Sequence, residues 1–503
     1  MRTIGRAALS AGCGAALAVA IAAGAQAEKG QPETLADAIS LAYETNPTLQ
    51  AERAQLRATD EEYPQAEAGL RPTVNANGSY NWQDQTITIT GSPNAQTTGP
   101  SGQAALQVTQ PIYTGGLVTS RIDAAKADIL AERENLRRVE IGVLQSVIGA
   151  YLDVRRDADQ LAISRDNVND LSRQLDETRA RFDAGQLTRT DVAQSEARLA
   201  QAQSQTATAL ATLAEARATY FAAVGQNPGE LAAEPPIDGL LPASVDAAFD
   251  AAERANPQLR QANLLEQASA ARLAEAKSQT RPTVSVSGQY GYRSSQLGLV
   301  TGLGGSPGVL EAEHGVSVTA NVTAPIFTGG LYLSQIRQAA EQEAVSRIGI
   351  ETARRNVLEA VSQAWNQLLG ARAALKADEQ QVASNRIALD GVTAEEKAGL
   401  RTILDVLNAQ QELENSQHAL VDARHDAYVA AAAVLAATGA LDARDFSPSE
   451  PVYDPRANFD KARHAPGWVP WESAIGAVDR IGAPSRAPRA PPAGPTPVRP
   501  SGD

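Results

Sequence analysis

The stretch RPTVNANGSYNW, from Arg71 to Trp82, alternates apolar with polar residues, and RPTVSVSGQYGY, from Arg281 to Tyr292, repeats it 210 residues later. A period of two belongs to a β-strand with two different faces. Val74, Ala76, Gly78, Tyr80 and Trp82 share one face, and Thr73, Asn75, Asn77, Ser79 and Asn81 the other. Val284, Val286, Gly288, Tyr290 and Tyr292 repeat the apolar face in the second copy. A further strand sets Val316, Val318, Ala320, Val322 and Ala324 against Ser317, Thr319, Asn321 and Thr323. The remaining strand is less regular: Ala104, Leu106, Val108 and Ile112 are interrupted by Gln110. Each strand is expected to run for about ten residues, the length that crosses a bilayer when tilted. The polar faces carry small uncharged groups, and Tyr and Trp end the apolar faces, as in an aromatic girdle. The pattern therefore predicts membrane strands facing lipid on one side and water on the other. The alternative is a soluble sheet whose apolar face is covered by helices, in a periplasmic coiled-coil adaptor or structural protein.

The duplication extends far beyond these strands. Asn46-Pro47 recurs as Asn256-Pro257, and VTQPIYTGGL from Val108 recurs as VTAPIFTGGL from Val322, now 214 residues apart. The four extra residues must fall in the loop between the second copy's strands. Val147, Val154, Leu161, Val168 and Leu175 are spaced by seven, and so are Val361, Leu368, Leu375, Val382 and Leu389. A sustained seven-residue apolar spacing predicts helices packed as coiled coils. Each copy thus reads as a helical segment (33–70, 243–280), two strands with a long loop (83–103, 294–314), a very long helix (about 117–183, 331–397) and a shorter return helix (about 188–224, 402–438). Pro72 and Pro282 end helices and begin strands. Gly115-Gly116 and Gly329-Gly330 turn strand into helix. The expected organisation is a leader over 1–27, a first repeat over 28–242, a second over 243–444, and a tail over 445–503. Twelve of the chain's 27 prolines lie in that tail, which predicts disorder there.

The leader has basic Arg2 and Arg6, an apolar run from Ala7 to Ala23, and a small-x-small cleavage site at Ala25-Gln26-Ala27. It contains Cys13, the single cysteine, so disulfides and thiolate chemistry are excluded from the exported chain. Losing two arginines and no acid takes the net charge from −14 to −16, which argues against nucleic-acid binding. The longest later apolar run, from Tyr428, covers about 14 residues, short of the roughly 20 a membrane helix needs. Any membrane crossing must use the strands. Four strands leave open edges, and each unpaired N–H or C=O in lipid costs several kcal/mol, so several chains must pool their strands.

With these features in place, the chain resembles the TolC family of outer-membrane channel-tunnels over most of residues 33–440. The most specific stretch is GLRTILDVLNAQQELENSQHALVDARHDAY from Gly399. The resemblance implies an α+β membrane protein: an internally duplicated protomer with four transmembrane strands, a homotrimer closing a twelve-stranded barrel, and a long coiled-coil α-helical tunnel across the periplasm. It implies an outer-membrane exit duct, extending into the periplasm, that passes drugs or unfolded proteins. The implied partners are an inner-membrane ABC or RND transporter, a periplasmic adaptor and outer-membrane lipid. It implies an aperture at the helix-turn tips, with Asp405, Asn408 and Asp191 around the bore and Arg401 as a gating link. Asn408 stands where the family commonly has a second aspartate, and Glu396 where it has a tyrosine.

The tips also carry a local reading. Gly185 and Gly399 suit left-handed turn positions, and Thr188-x-x-Asp191 and Thr402-x-x-Asp405 read as capping boxes, each worth about 1 kcal/mol. A carboxylate ring at Asp405 would favour cations and, through crowding, raise the carboxyl pKa values. No enzyme activity, cofactor or metal is expected. The G-x-S-x-G match at Gly304–Gly308 lies in a loop, with none of the strand-turn-helix context a nucleophile elbow requires.

Overall fold

The structure is a computed structural model that describes residues 32–88, 95–296, 298–301, 304–306, 311–447, 453–464, 467–481 and 483. The leader with Cys13, part of the G-x-S-x-G match and the final proline-rich residues lie outside the described residues. In chain order the first repeat contains α1 (Leu35–Thr45), α2 (Pro47–Asp60), α3 (Glu62–Glu67), β1 (Thr73–Ile87), β2 (Ala95–Tyr113), α4 (Leu117–Asp183) and α5 (Arg189–Val224). The second contains α6 (Val245–Ala255), α7 (Pro257–Ser278), β3 (Thr283–Ser295), β4 (Gly298–Thr301), β5 (Gly304–Ser306), β6 (Glu311–Thr323), α8 (Leu331–Lys397) and α9 (Ile403–Thr438). Two short helices follow, α10 (Ala457–Arg463) and α11 (Glu472–Ile481).

The repeated Asn-Pro pairs divide each leading helical segment in two. Asn46 is extended, and its side chain accepts from the Thr48 amide at 2.9 Å. Asn256 accepts from the Gln258 amide at 2.8 Å. Proline follows each at the first helical position, where its missing N–H costs nothing. The same sequence feature therefore closes one helix and caps the next.

The main sheet is antiparallel in the order β1-β2-β3-β6, and a β4–β5 hairpin pairs with the outer end of β2. Thr73 lies opposite Thr109 and Thr283 opposite Thr323, so the two copies share one register once the longer second loop is allowed for. Within the protomer, β1 and β6 each leave one edge unpaired. Their apolar residues are uncovered: Val74 is 61% exposed, Tyr80 76% and Val318 74%. Among the described residues no helix shields them, and the soluble-sheet alternative required that cover. The strands exceed the expected length. β1 continues to Ile87 and β2 starts at Ala95, so most of the loop expected at 83–103 is paired backbone. Thr, Gln and Ser sustain a ladder beyond the membrane span, because backbone hydrogen bonds do not require an apolar face.

α4 and α8 each span 67 residues, roughly 100 Å at 1.5 Å per residue, and α5 and α9 each span 36. Val147, Val154, Leu161 and Leu175 are buried as the spacing predicts, as are Val361 and Leu368. The connection between the repeats crosses the long helices at mid-length. Ala232 N donates to Glu33 O at 2.8 Å, and Tyr151 donates to Glu33 O and Ala232 O at 3.0 and 2.7 Å. Tyr428 donates to Pro235 O at 3.0 Å.

The disorder expected for 445–503 does not hold where the tail is described. α10 and α11 form a strap on the first repeat. Phe459 meets Tyr63 edge to face at 5.3 Å, and Asn458 donates to Asp60 at 2.9 Å. Glu472 receives two hydrogen bonds from Arg71, at 3.1 and 3.2 Å. Asp479 is fully buried and accepts from Thr114, Gly116 and Thr119, capping the start of α4. Burial raises its pKa, but these hydrogen bonds outweigh it and hold the carboxyl below its usual range. Proline-rich composition signals disorder only when too little apolar surface is available to bury. Here Phe459 and Ile475 supply the apolar contacts, and Asp479 joins Thr114 in capping a helix whose own N-cap residue, Gly116, has no side chain to do so.

Candidate functional site at the hairpin tips

Each long helix turns into its return helix through a left-handed glycine, Gly185 or Gly399, both with φ +74°. Gln186 N donates to Arg181 O and Leu400 N to Glu395 O, at 2.9 Å each, closing the turns. Both expected capping boxes form. Thr188 N donates to Asp191 Oδ2 at 2.8 Å, and Thr402 N to Asp405 Oδ2 at 2.9 Å. Each threonine hydroxyl in turn accepts from the aspartate amide. Asp191 and Asp405 therefore serve their own helix starts. Backbone and side-chain hydrogen bonds from Thr402, helped by Arg401, hold the Asp405 carboxyl below its usual range. The rise expected from crowding belongs to a ring of several chains; within one protomer the Thr402 donors dominate.

The other aperture residues are placed differently from one another. Asn408 accepts from Arg198 Nη2 at 3.0 Å, which joins α9 to α5. Arg401 pairs with Glu395 at 3.0 Å, within its own hairpin rather than across to the other. A second link between the hairpins, beside Arg198–Asn408, comes from Glu396, 5% exposed, which pairs with Arg181 at 2.6 Å. Arg181 and Arg198 were not singled out from the sequence. The available signal was modest: Arg198 lies seven residues after Asp191, on the same helical face. Arg181 occupies the position that Glu395 holds in the other copy, 214 residues on.

Further up the tunnel wall, α4 and α9 share a charged cluster. Arg156 pairs with Asp153 at 3.0 Å and with buried Asp157 at 2.8 Å. His425 Nε2 lies 3.1 Å from Asp153, and its Nδ1 lies 2.9 Å from Asp426. Burial lowers the His425 pKa, but the two carboxylates outweigh it and push it up. His425 in turn holds the Asp153 carboxyl down. Gln160 donates to Asp422 at 2.7 Å, extending the cluster by one turn.

A duplicated chain with four lipid-facing strands and two 100 Å hairpins meeting at capped tips matches one protein family over both copies: outer membrane efflux protein, residues 38–226 and 248–440. The chain belongs to the outer membrane efflux protein family. This is the family of TolC-like channels that the closing hairpin resembles. The efflux protein BepC of Brucella suis biovar 1 is 34% identical over 85% of this chain and 90% of its own. The alkaline protease secretion protein AprF of Pseudomonas aeruginosa is 27% identical over 82% and 85%. The CmeC outer membrane channel of Campylobacter jejuni superposes with a TM-score of 0.70 at 14% identity, covering 86% of this chain and 89% of that one. This efflux protein is thus an outer-membrane channel-tunnel: strands in the outer membrane, helices in the periplasm, and an exit duct along the axis.

Proposed function

We propose that three copies of this chain close one barrel and one tunnel, and that an inner-membrane ABC or RND transporter, with its periplasmic adaptor, delivers drugs or unfolded proteins into it. The tips form the aperture. Asp405, Asn408 and Asp191 line the narrow end, and Arg401 stiffens the turn beside them. The observation that carries this reading is the Arg181–Glu396 pair, which ties the two hairpins of one protomer together at their ends. Opening parts these hairpins. The transporter supplies the energy.

The test is conductance of the purified trimer in a planar bilayer. Asp405→Asn is expected to reduce cation selectivity while leaving the barrel intact. Absence of any ionic current from the unsubstituted trimer would overturn the duct. Cells lacking the protein that become drug-sensitive identify a drug substrate, whereas loss of an exported protein from the medium identifies secretion.

A further inference from the structure

The strap turns one of its faces away from the protein. Glu472, Ile475 and Asp479 face inward and are buried. Trp471, Ala474, Val478 and Ile481, spaced by three and four, form a second stripe beside them, exposed throughout. Trp468, just ahead of the helix, is 65% exposed and Ile481 85%. Such a stripe on a helix only ten residues long is unlike a solvated surface.

Its position shows what covers it. Gln110 interrupts the lipid-facing row of β2, two residues after Val108. The Trp471 indole donates to Gln110 Oε1 at 3.1 Å, and Gln110 Nε2 donates to Leu70 O at 2.8 Å. The strap therefore lies on the lipid side of the barrel wall, about 7 Å beyond Val108, the last exposed apolar residue of that row, at ~3.4 Å per residue, while Ile112 further along is packed against the strap's own cluster. That is the level of the headgroups. Indole rings prefer this level, with the ring body in the acyl boundary and the N–H satisfied. A cavity of about 320 Å³ opens between strap and α4, lined by Tyr63, Lys126, Arg463, Trp468 and Arg480. Among the described residues, Lys126, Arg463 and Arg480 form no ion pair, although the Lys126 ammonium lies 5.4 Å from the Tyr63 ring centroid, whereas Glu67 and Glu472 are both held by Arg71.

We propose that α11 and the Trp468–Trp471 turn are an interfacial anchor, embedded in the periplasmic phospholipid leaflet of the outer membrane. The stripe continues the barrel's lipid-facing surface, and the three cations receive anionic headgroups. The proposal rests on the outer-membrane placement above.

The test uses the full-length trimer carrying Trp82→Phe and Trp365→Phe, so that Trp468 and Trp471 alone emit. It is reconstituted into phosphatidylethanolamine–phosphatidylglycerol vesicles, with and without brominated acyl chains, and channel conductance is recorded from the same preparation. Bromine is expected to cut the emission by at least half. Full conductance with emission untouched by bromine and freely quenched by aqueous acrylamide would overturn the anchor and leave the duct standing. Loss of conductance from the unsubstituted trimer overturns the duct and the anchor with it. Omitting phosphatidylglycerol is expected to weaken the quenching; an unchanged signal would remove the anionic headgroup from the proposal.

Discussion

The long helices α4 and α8 are copies of equal length, yet they lead different lives. α4 buries 25 of its 67 residues and α8 only seven. α4 is surrounded: α5 and α7 flank it, α9 packs along it, and the strap covers its start. α8 packs against α6, α7 and α9 and is bare elsewhere. At equivalent positions, Ala131 is 2% exposed and Val345 69%. Glu134 matches Ile348, a charge on the enclosed helix against an apolar residue on the bare one. Thr119, held by Asp479, matches Leu333, 62% exposed. If three copies assemble as proposed, an apolar residue retained on the open copy and replaced on the closed one is one that another protomer covers. Duplication supplied two similar helices; in that assembly one is internal and the other interfacial.

The sharpest way to break this comparison is to charge the bare helix. Ile348→Asp removes about 1.5–3 kcal/mol of burial per copy and places a carboxylate in the interface. Loss of the trimer on size-exclusion chromatography is expected, with protomer helicity retained. A trimer that persists would show that this face of α8 meets water.

The strand edges sharpen the same point. If β6 of one protomer continues onto β1 of the next as β2 continues onto β3, then Asn321 lies opposite Ser79, by analogy with Gln107 opposite Gln289. Asn321→Cys with Ser79→Cys should give covalent oligomers on oxidation, since paired Cα atoms lie ~4.5–5.5 Å apart. Thr319→Cys with Ser79→Cys should not, because diagonal neighbours exceed the ~7 Å a disulfide tolerates.

A smaller effect is expected at the tips, where the copies differ in charge. Glu396→Gln leaves Arg181 without its buried partner, at a cost of about 3 kcal/mol or less after solvent screening of the arginine. Higher single-channel conductance is expected, whereas Glu395→Gln, in the more exposed pair, should change it less.

The smallest effect concerns the charged cluster, which the second copy lacks: Asp153, Arg156 and Asp157 match Gln367, Gly370 and Ala371. Because the His425 pKa is raised from 6.5, its pairing stabilises the fold below that pH and is lost as pH rises through the higher folded value. The thermal-stability advantage of the natural chain over His425→Gln should therefore shrink as the pH is taken from below 6.5 into the alkaline range. A constant advantage across that interval would contradict the raised pKa.

By itself, the sequence determined the elements and their order. Alternation in RPTVNANGSYNW, seven-residue apolar spacing, Asn-Pro breaks, Gly-Gly junctions and Thr-x-x-Asp caps are local or periodic, and the chain obeys them almost residue for residue. They were legible because backbone geometry couples side-chain direction to spacing along the chain. Strand length was underestimated, since the backbone ladder continues where side-chain alternation fades. Only the tertiary structure decided which copy is enclosed, which charges meet and what the tail does. Glu396 and Arg181 are separated by 215 residues, and Asp479 and Thr119 by 360. A single long-range ion pair or cap leaves no period in the sequence. Its partner is chosen by packing, which brings together surfaces that the linear chain keeps far apart.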